Sequence, residues 1–147
     1  MKQIQNEIFL GIDHGDVRSG IAISNELCFA SPLKTVKESN SKMLAGKIYE
    51  IVKKYGVTAI VIGYPKNMNG TFGERCKKVN KLTKILKRLI PKIHVILWDE
   101  RLSTISAIKN MIVSGVKSKK IRECENEESA TIILQCYLDF LCTKKIY

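Results

Sequence analysis

Three carboxylates stand where apolar runs end: Asp13 closes "IFLGID" (8–13), and Asp99 and Glu100 close "IHVILWDE" (93–100). Asp13 is open to three readings at this point: a metal ligand, a phosphate-contacting group or a turn residue. If the two runs are neighbouring strands, their acids crowd like charges into one cleft. That costs free energy unless the groups are protonated, paired or neutralised by a cation. A few carboxylates, together with waters and phosphate oxygens, suit hard Mg²⁺ or Mn²⁺. Two such ions polarise a phosphodiester and stabilise the leaving oxygen. Strand alternation prevents Asp99 and Glu100 from facing the same side. One of them is expected to face the cleft, leaving the other to pair with Arg101 or Arg18.

Between these acids lies "GYPKNMNGTFGER" (63–75). Gly63, Gly70 and Gly73 permit tight turns and close backbone approach, and Asn67 and Asn69 tolerate left-handed geometry. The stretch runs into a predicted helix, whose free N–H groups and positive dipole end favour an anion such as a phosphate. The spacing is not that of a nucleoside-triphosphate loop. Along the helix, Lys77, Lys81, Lys84 and Arg88 share one face, with Val79, Leu82, Leu86 and Leu89 opposite. From Arg75 to Lys92 there are eight Lys or Arg and no acid. Charge of one sign favours contact with a phosphate backbone. Lys117, Lys119, Lys120 and Arg122 form a second basic cluster. No aromatic interleaves with either basic stretch, so backbone and shape are expected to dominate over base stacking.

The elements that must position these residues follow from periodicity. "IFLGID", "SGIAIS" (19–24) and "CFASPLKTV" (28–36) read as strands joined by short turns, an antiparallel meander with Pro32 near an edge. Leu44, Ile48, Ile51 and Tyr55 recur at helical spacing over 41–55, and Gly56 supplies the stop. "TAIVIG" (58–63) is a buried strand, 74–90 a helix ended by Pro91, and 93–100 another strand. A helix capped by Ser103 or Thr104 is predicted to Val113, a mobile loop over 114–124, and a last helix over about 126–142. The order predicts a mixed five-stranded sheet with helices on both faces. Sites in such sheets form beyond the carboxyl ends of parallel strands. Asp13, the 63–73 loop and Asp99–Glu100 all fall there.

At 147 residues the chain is read as one domain spanning 1–147. No apolar stretch approaches the roughly 20 residues that cross a bilayer, and no export signal is visible, so a cytoplasmic location is expected. Five cysteines without a CxxC pair, and only two histidines, argue against a zinc site or a disulfide framework. The net charge of +11 suits a polyanionic partner.

Four segments, "GIDHGDVRSGIAIS", "VIGYPKNMNGTFGER", "WDERLST" and "ESATIILQCYLD", together resemble the RuvX/YqgF family. Its members are described as Holliday junction resolvases or pre-16S rRNA nucleases with an RNase H-like fold. The resemblance spans about residues 8–139. It implies an endonuclease dependent on Mg²⁺ or Mn²⁺, acting in small-subunit rRNA maturation. The implied partners are precursor rRNA or structured DNA, with ribosomal particles besides, for a monomer or weak homodimer. Asp13 corresponds to the first metal ligand and Glu100, with Asp99 as the lesser candidate, to the second. Arg18, Asn67, Gly70, Gly73, Arg75 and Arg101 map onto the loop and anion contacts.

One position departs from the family pattern. Where members carry an aspartate four residues before the alanine matched by Ala130, this chain has Asn126. An asparagine carbonyl still coordinates a hard cation but brings no charge. Three alternatives follow: Glu125, Glu127 or Glu128 takes over, the enzyme runs slowly on Asp13 and Glu100, or the chain is a binding module. An actin-like sugar kinase shares the opening motif, but it needs a duplicated domain that 147 residues do not provide.

Overall fold

The computed structural model describes residues 7–67, 69–102 and 118–146, with backbone alone described at 102, 118–127 and 144–146. Five strands, β1 (Phe9–His14), β2 (Arg18–Ser24), β3 (Ala30–Lys37), β4 (Ala59–Tyr64) and β5 (His94–Asp99), form one sheet in the order β3-β2-β1-β4-β5. β1, β2 and β3 are the antiparallel meander, whereas β1, β4 and β5 run parallel. Pro32 lies on the edge strand. There the pairing with β2 slips by one residue, so that Ile21 faces Lys34 and Ala22 faces Pro32. A proline lacks the N–H a central strand needs, and the edge bulge accommodates it.

Helix α1 (Ser41–Tyr55) is started by the Asn40 side chain, which accepts from the Lys42 and Met43 N–H groups, and stopped by Gly56 at φ 67°. Its buried stripe is Leu44, Ala45, Ile48, Ile51 and Val52. Tyr55, expected in that stripe, is exposed at the helix end beneath the Lys54 ammonium. Helix α2 (Glu74–Leu89) buries Cys76, Val79, Leu82, Thr83 and Leu86. Leu89, expected with them, is exposed in the last turn. In both helices the final residue of the predicted stripe has run past the sheet it would pack on.

The last helix, α3 (Ser118–Ile146), starts eight residues before the expected position. "SKKIREC" therefore belongs to a helix and not to a loop. After Gly115 no glycine or proline interrupts the run of good helix formers. The helix expected from Ser103 or Thr104 to Val113, and Lys117, lie outside the described residues. No described helix is long and apolar enough to cross a membrane.

The two faces of the sheet are packed separately. α1 and α2 cover one face over Leu10, Ile12, Ile21, Ile60 and Ile62. α3 covers the other through Ala130, Ile133, Leu134 and Leu138 over Phe9, Ala22, Ala59 and Val61.

Candidate active site

Alternation along β1 sends Leu10 and Ile12 to the α1/α2 core and Phe9 to the α3 side, so Asp13 shares the α3 face with Phe9 and Gly11. On β5, Val95 packs with the first core, and Ile96 and Trp98 with the second. Glu100, two residues after Trp98, therefore also falls on the α3 face, and Asp99 on the other. The register finishes the placement: Ile12 pairs with Ile62, Gly63 with Trp98 and Tyr64 with Asp99. One step beyond, Asp13 and Glu100 meet at the carboxyl rim on either side of Gly63.

Gly63 is the seat of this arrangement. A Cβ there would come within 2.5 Å of Glu100 Oε1 and 2.6 Å of Ile133 Cδ1. Gly11, two residues before Asp13, has the same role for α3: a Cβ would lie 2.7 Å from Leu134 Cβ and 2.9 Å from the Ala130 carbonyl oxygen. The absence of two side chains thus lets helix, strand ends and Glu100 approach closely.

The pair is electrostatically loaded. Burial pushes the Glu100 carboxyl up to about 7, assisted by the Asp13 charge and by a hydrogen bond to Asp13, while Arg75 opposes the shift. Near neutrality the protonated Glu100 donates to the Asp13 carboxylate. Two carboxyl groups held together in this way are hard oxygen donors of the type a divalent cation takes. Among the described residues no third His, Cys, Asp or Glu joins a cluster able to hold a metal, and Glu128 is exposed. Asn126 falls within α3, but its side chain, like those of Lys119, Lys120, Glu125 and Glu127, is outside the described residues.

Asp99 is engaged elsewhere. Arg101 Nη2 donates to its Oδ2 at 2.7 Å, Nε to both oxygens at 3.1 Å, and the Arg101 backbone N–H to Oδ1 at 3.0 Å. These bonds hold the Asp99 carboxyl below the usual carboxylate range. Of the two partners expected for the second acid, Arg101 is the one it takes, and Arg18 is exposed at the start of β2.

The loop after β4 is stitched by its own side chains. The Asn67 N–H donates to the Thr71 carbonyl at 2.9 Å, Asn67 Nδ2 to Thr71 Oγ1 at 2.9 Å, and Thr71 Oγ1 to Asn69 Oδ1 at 2.6 Å. Gly70 takes φ 84°, and a Cβ there would lie 3.7 Å from Arg101 Nη1. Asn67 and Gly70 therefore shape the loop, and the loop meets the Asp99–Arg101 pair. Gly73 begins α2 without a side-chain cap, close to the Asn67 side chain. Arg75, in the first turn, acts on Glu100, Asp16 and His14 together. Lys81, Lys84 and Arg88 are exposed and make no ion pair among the described residues, whereas Lys77 pairs with Glu74 at 3.1 Å.

Sequence reasoning located the acids and the close approach at Gly63, but not the seat at Gly11, or His14. His14 is buried behind Asp13 against Ser19 Oγ at 3.1 Å, and its burial lowers the imidazole pKa. The alternating pattern Phe9–Gly11–Asp13 carried a signal for the first seat: a glycine two residues before an acid, on its face.

A sheet of this order with an acidic pair at its carboxyl rim defines an RNase H-like protein, and solved structures agree. T. thermophilus RuvC in complex with a Holliday junction substrate superposes with a TM-score of 0.62 at 14% identity, over 94% of this chain and 97% of that one. The fowlpox virus resolvase bound to junction DNA gives 0.50 at 11% identity, over 91% and 98%. The family model described as "RuvX: Holliday junction resolvase" matches residues 7–140. The chain belongs to the RuvX family, a nuclease family. Two relatives carry the name "Putative pre-16S rRNA nuclease". The protein of Acetivibrio thermocellus is 42% identical over 88% of this chain and 94% of its own length. That of Onion yellows phytoplasma is 40% identical over 96% and 95%.

Proposed function

We propose that this chain is a cytoplasmic endonuclease that processes precursor small-subunit rRNA, with Asp13 and Glu100 holding Mg²⁺ or Mn²⁺. The observation that carries the reading is the hydrogen-bonded Asp13–Glu100 pair at the rim of the parallel strands. The names of the relatives supply the substrate.

Asp13 and Glu100 present their oxygens on one face and would hold a dication there, with Glu100 deprotonated. A hard dication bound there supplies Lewis acidity toward a phosphodiester and the attacking water. Arg75 and the uncapped start of α2 attract the phosphate. Lys77, Lys81, Lys84 and Arg88 hold the flanking backbone by charge, without reading sequence. Asp99 aligns Arg101 against the loop and stays outside the cation's ligand set. Glu100→Gln is expected to abolish cleavage of a labelled precursor-rRNA fragment while RNA binding survives. Equal cleavage by variant and parent, with contaminating nuclease excluded, would contradict the reading.

A second reading, a binding module with weakened catalysis, draws on Asn126 and on the pair being joined by no third acid among the described residues. Asn126→Asp separates the two. Increased cation-dependent cleavage supports the nuclease, and absence of cleavage in both forms with unchanged binding supports the module. Preference for a four-way DNA junction over rRNA in a competition assay would favour a resolvase.

A further inference from the structure

Phe72 is 64% exposed, an unusual state for a large aromatic in a loop otherwise closed by its own hydrogen bonds. The ring is not loose. It packs on Tyr64 with centroids 5.9 Å apart and planes at 59°, and the Lys66 ammonium sits 5.4 Å from its centroid. Tyr64 is in turn fixed by Asn80 Nδ2, which donates to its hydroxyl at 3.1 Å. The platform is therefore built in advance, and a ligand loses little entropy in ordering it.

Its position gives it a use. Tyr64 directly follows Gly63, on which Glu100 rests, and pairs in register with Asp99. Lys66 acts electrostatically on Asp99, and Arg75, three residues after Phe72, acts on Glu100. An exposed aromatic ring lies here beside the Lys66 ammonium, one residue before an uncapped helix start and three before the Arg75 that acts on Glu100. A phosphate contacting Arg75 and the α2 N-terminus brings its own nucleobase within reach of the ring. Stacking on an aromatic is available only to a base that is out of a duplex.

We infer that Phe72 is a stacking platform for one unpaired nucleobase beside the scissile phosphate, so that the site takes a single-stranded or splayed nucleotide and not a continuous duplex. This rests on the nuclease reading for its substrate. The basic helix and the late basic cluster carry no aromatic, so the contribution is confined to one base at the loop.

The test uses binding without cleavage, in EDTA. RNA oligonucleotides carrying 2-aminopurine at successive positions are titrated with the parent protein, Phe72→Leu and Phe72→Trp. Phe72 is exposed, and circular dichroism checks that the variants fold. Expected is quenching at one position with the parent and Phe72→Trp. Phe72→Leu should lose that quench and bind unpaired RNA about tenfold more weakly, while duplex affinity stays within about twofold. Undiminished quenching and affinity in Phe72→Leu, or equal losses for paired and unpaired RNA, would overturn the inference. Cation-dependent cleavage, measured separately with Glu100→Gln, reports on the nuclease reading alone.

Discussion

The two faces of the sheet are built from different materials. Toward α1 and α2 the strands present Leu10, Ile12, Ile21, Ile60 and Ile62, all fully buried, and the packing is that of an ordinary aliphatic core. Toward α3 the same strands present Gly11, Ala22, Ala59, Val61 and Gly63, and the helix comes so close that a methyl group at either glycine would collide with it. The first face supplies the burial that stabilises the domain. The second gives up side-chain volume, and at its rim the space admits Asp13 and Glu100 side by side. Stability and chemistry are thus divided between opposite sides of one sheet, one residue apart along the strand.

Gly63→Ala breaks the difference most sharply. Its Cβ would meet the flexible ends of Glu100 and Ile133, which move at modest cost, on the order of 1–3 kcal/mol. A displacement of about 1 Å in a reacting group costs on the order of a hundredfold in rate. Cleavage is therefore expected to fall about a hundredfold with a much smaller change in urea midpoint. Gly11→Ala should do the reverse. It meets Leu134 Cβ and the Ala130 backbone, which cannot swing aside, so a stability loss of about 1–3 kcal/mol by denaturant titration is expected.

A smaller effect comes from protons. In the cation-free protein Glu100 keeps its proton up to about 7, whereas the unfolded chain releases it near the ordinary carboxylate value. The folded state therefore holds the extra proton across that window, and stability declines as pH rises through it, levelling off above about 7. Melting temperatures in EDTA from pH 4 to 8 should show this slope, and Glu100→Gln should flatten it. The smallest change is Gly46→Ala on α1, on the opposite face. Nothing lies within 4 Å of a Cβ there, so the substitution should stabilise the helix by about 0.5–1 kcal/mol and leave cleavage untouched.

Much of this was legible in the sequence because it is periodic or punctuated. The five strands, the helix over 41–55 with its Gly56 stop, the edge position of Pro32 and the meeting of strand ends all follow from local pattern. The choice between Asp99 and Glu100 needed one further fact, which face each strand turns to which helix. Alternation supplied the rule but not the origin. The helical start at Ser118 was hidden because lysine-rich sequence reads equally as exposed loop or exposed helix. The seats at Gly11 and Gly63 depend on Leu134 and Ile133, at least 70 residues further along the chain (about the least local signal a chain can carry). In the loop after β4, Gly70 takes the tight-turn geometry expected of it, and Asn67 is tied to Thr71.

The account stands on one cation held jointly by Asp13 and Glu100. Calorimetric titration of Mn²⁺ at pH 7, in buffers of different ionisation enthalpy, tests this directly. The parent protein should bind the ion with net release of proton, and Asp13→Asn and Glu100→Gln should each weaken binding more than about tenfold. Binding of Mn²⁺ to both variants with the parent's affinity, and no proton released, would contradict it.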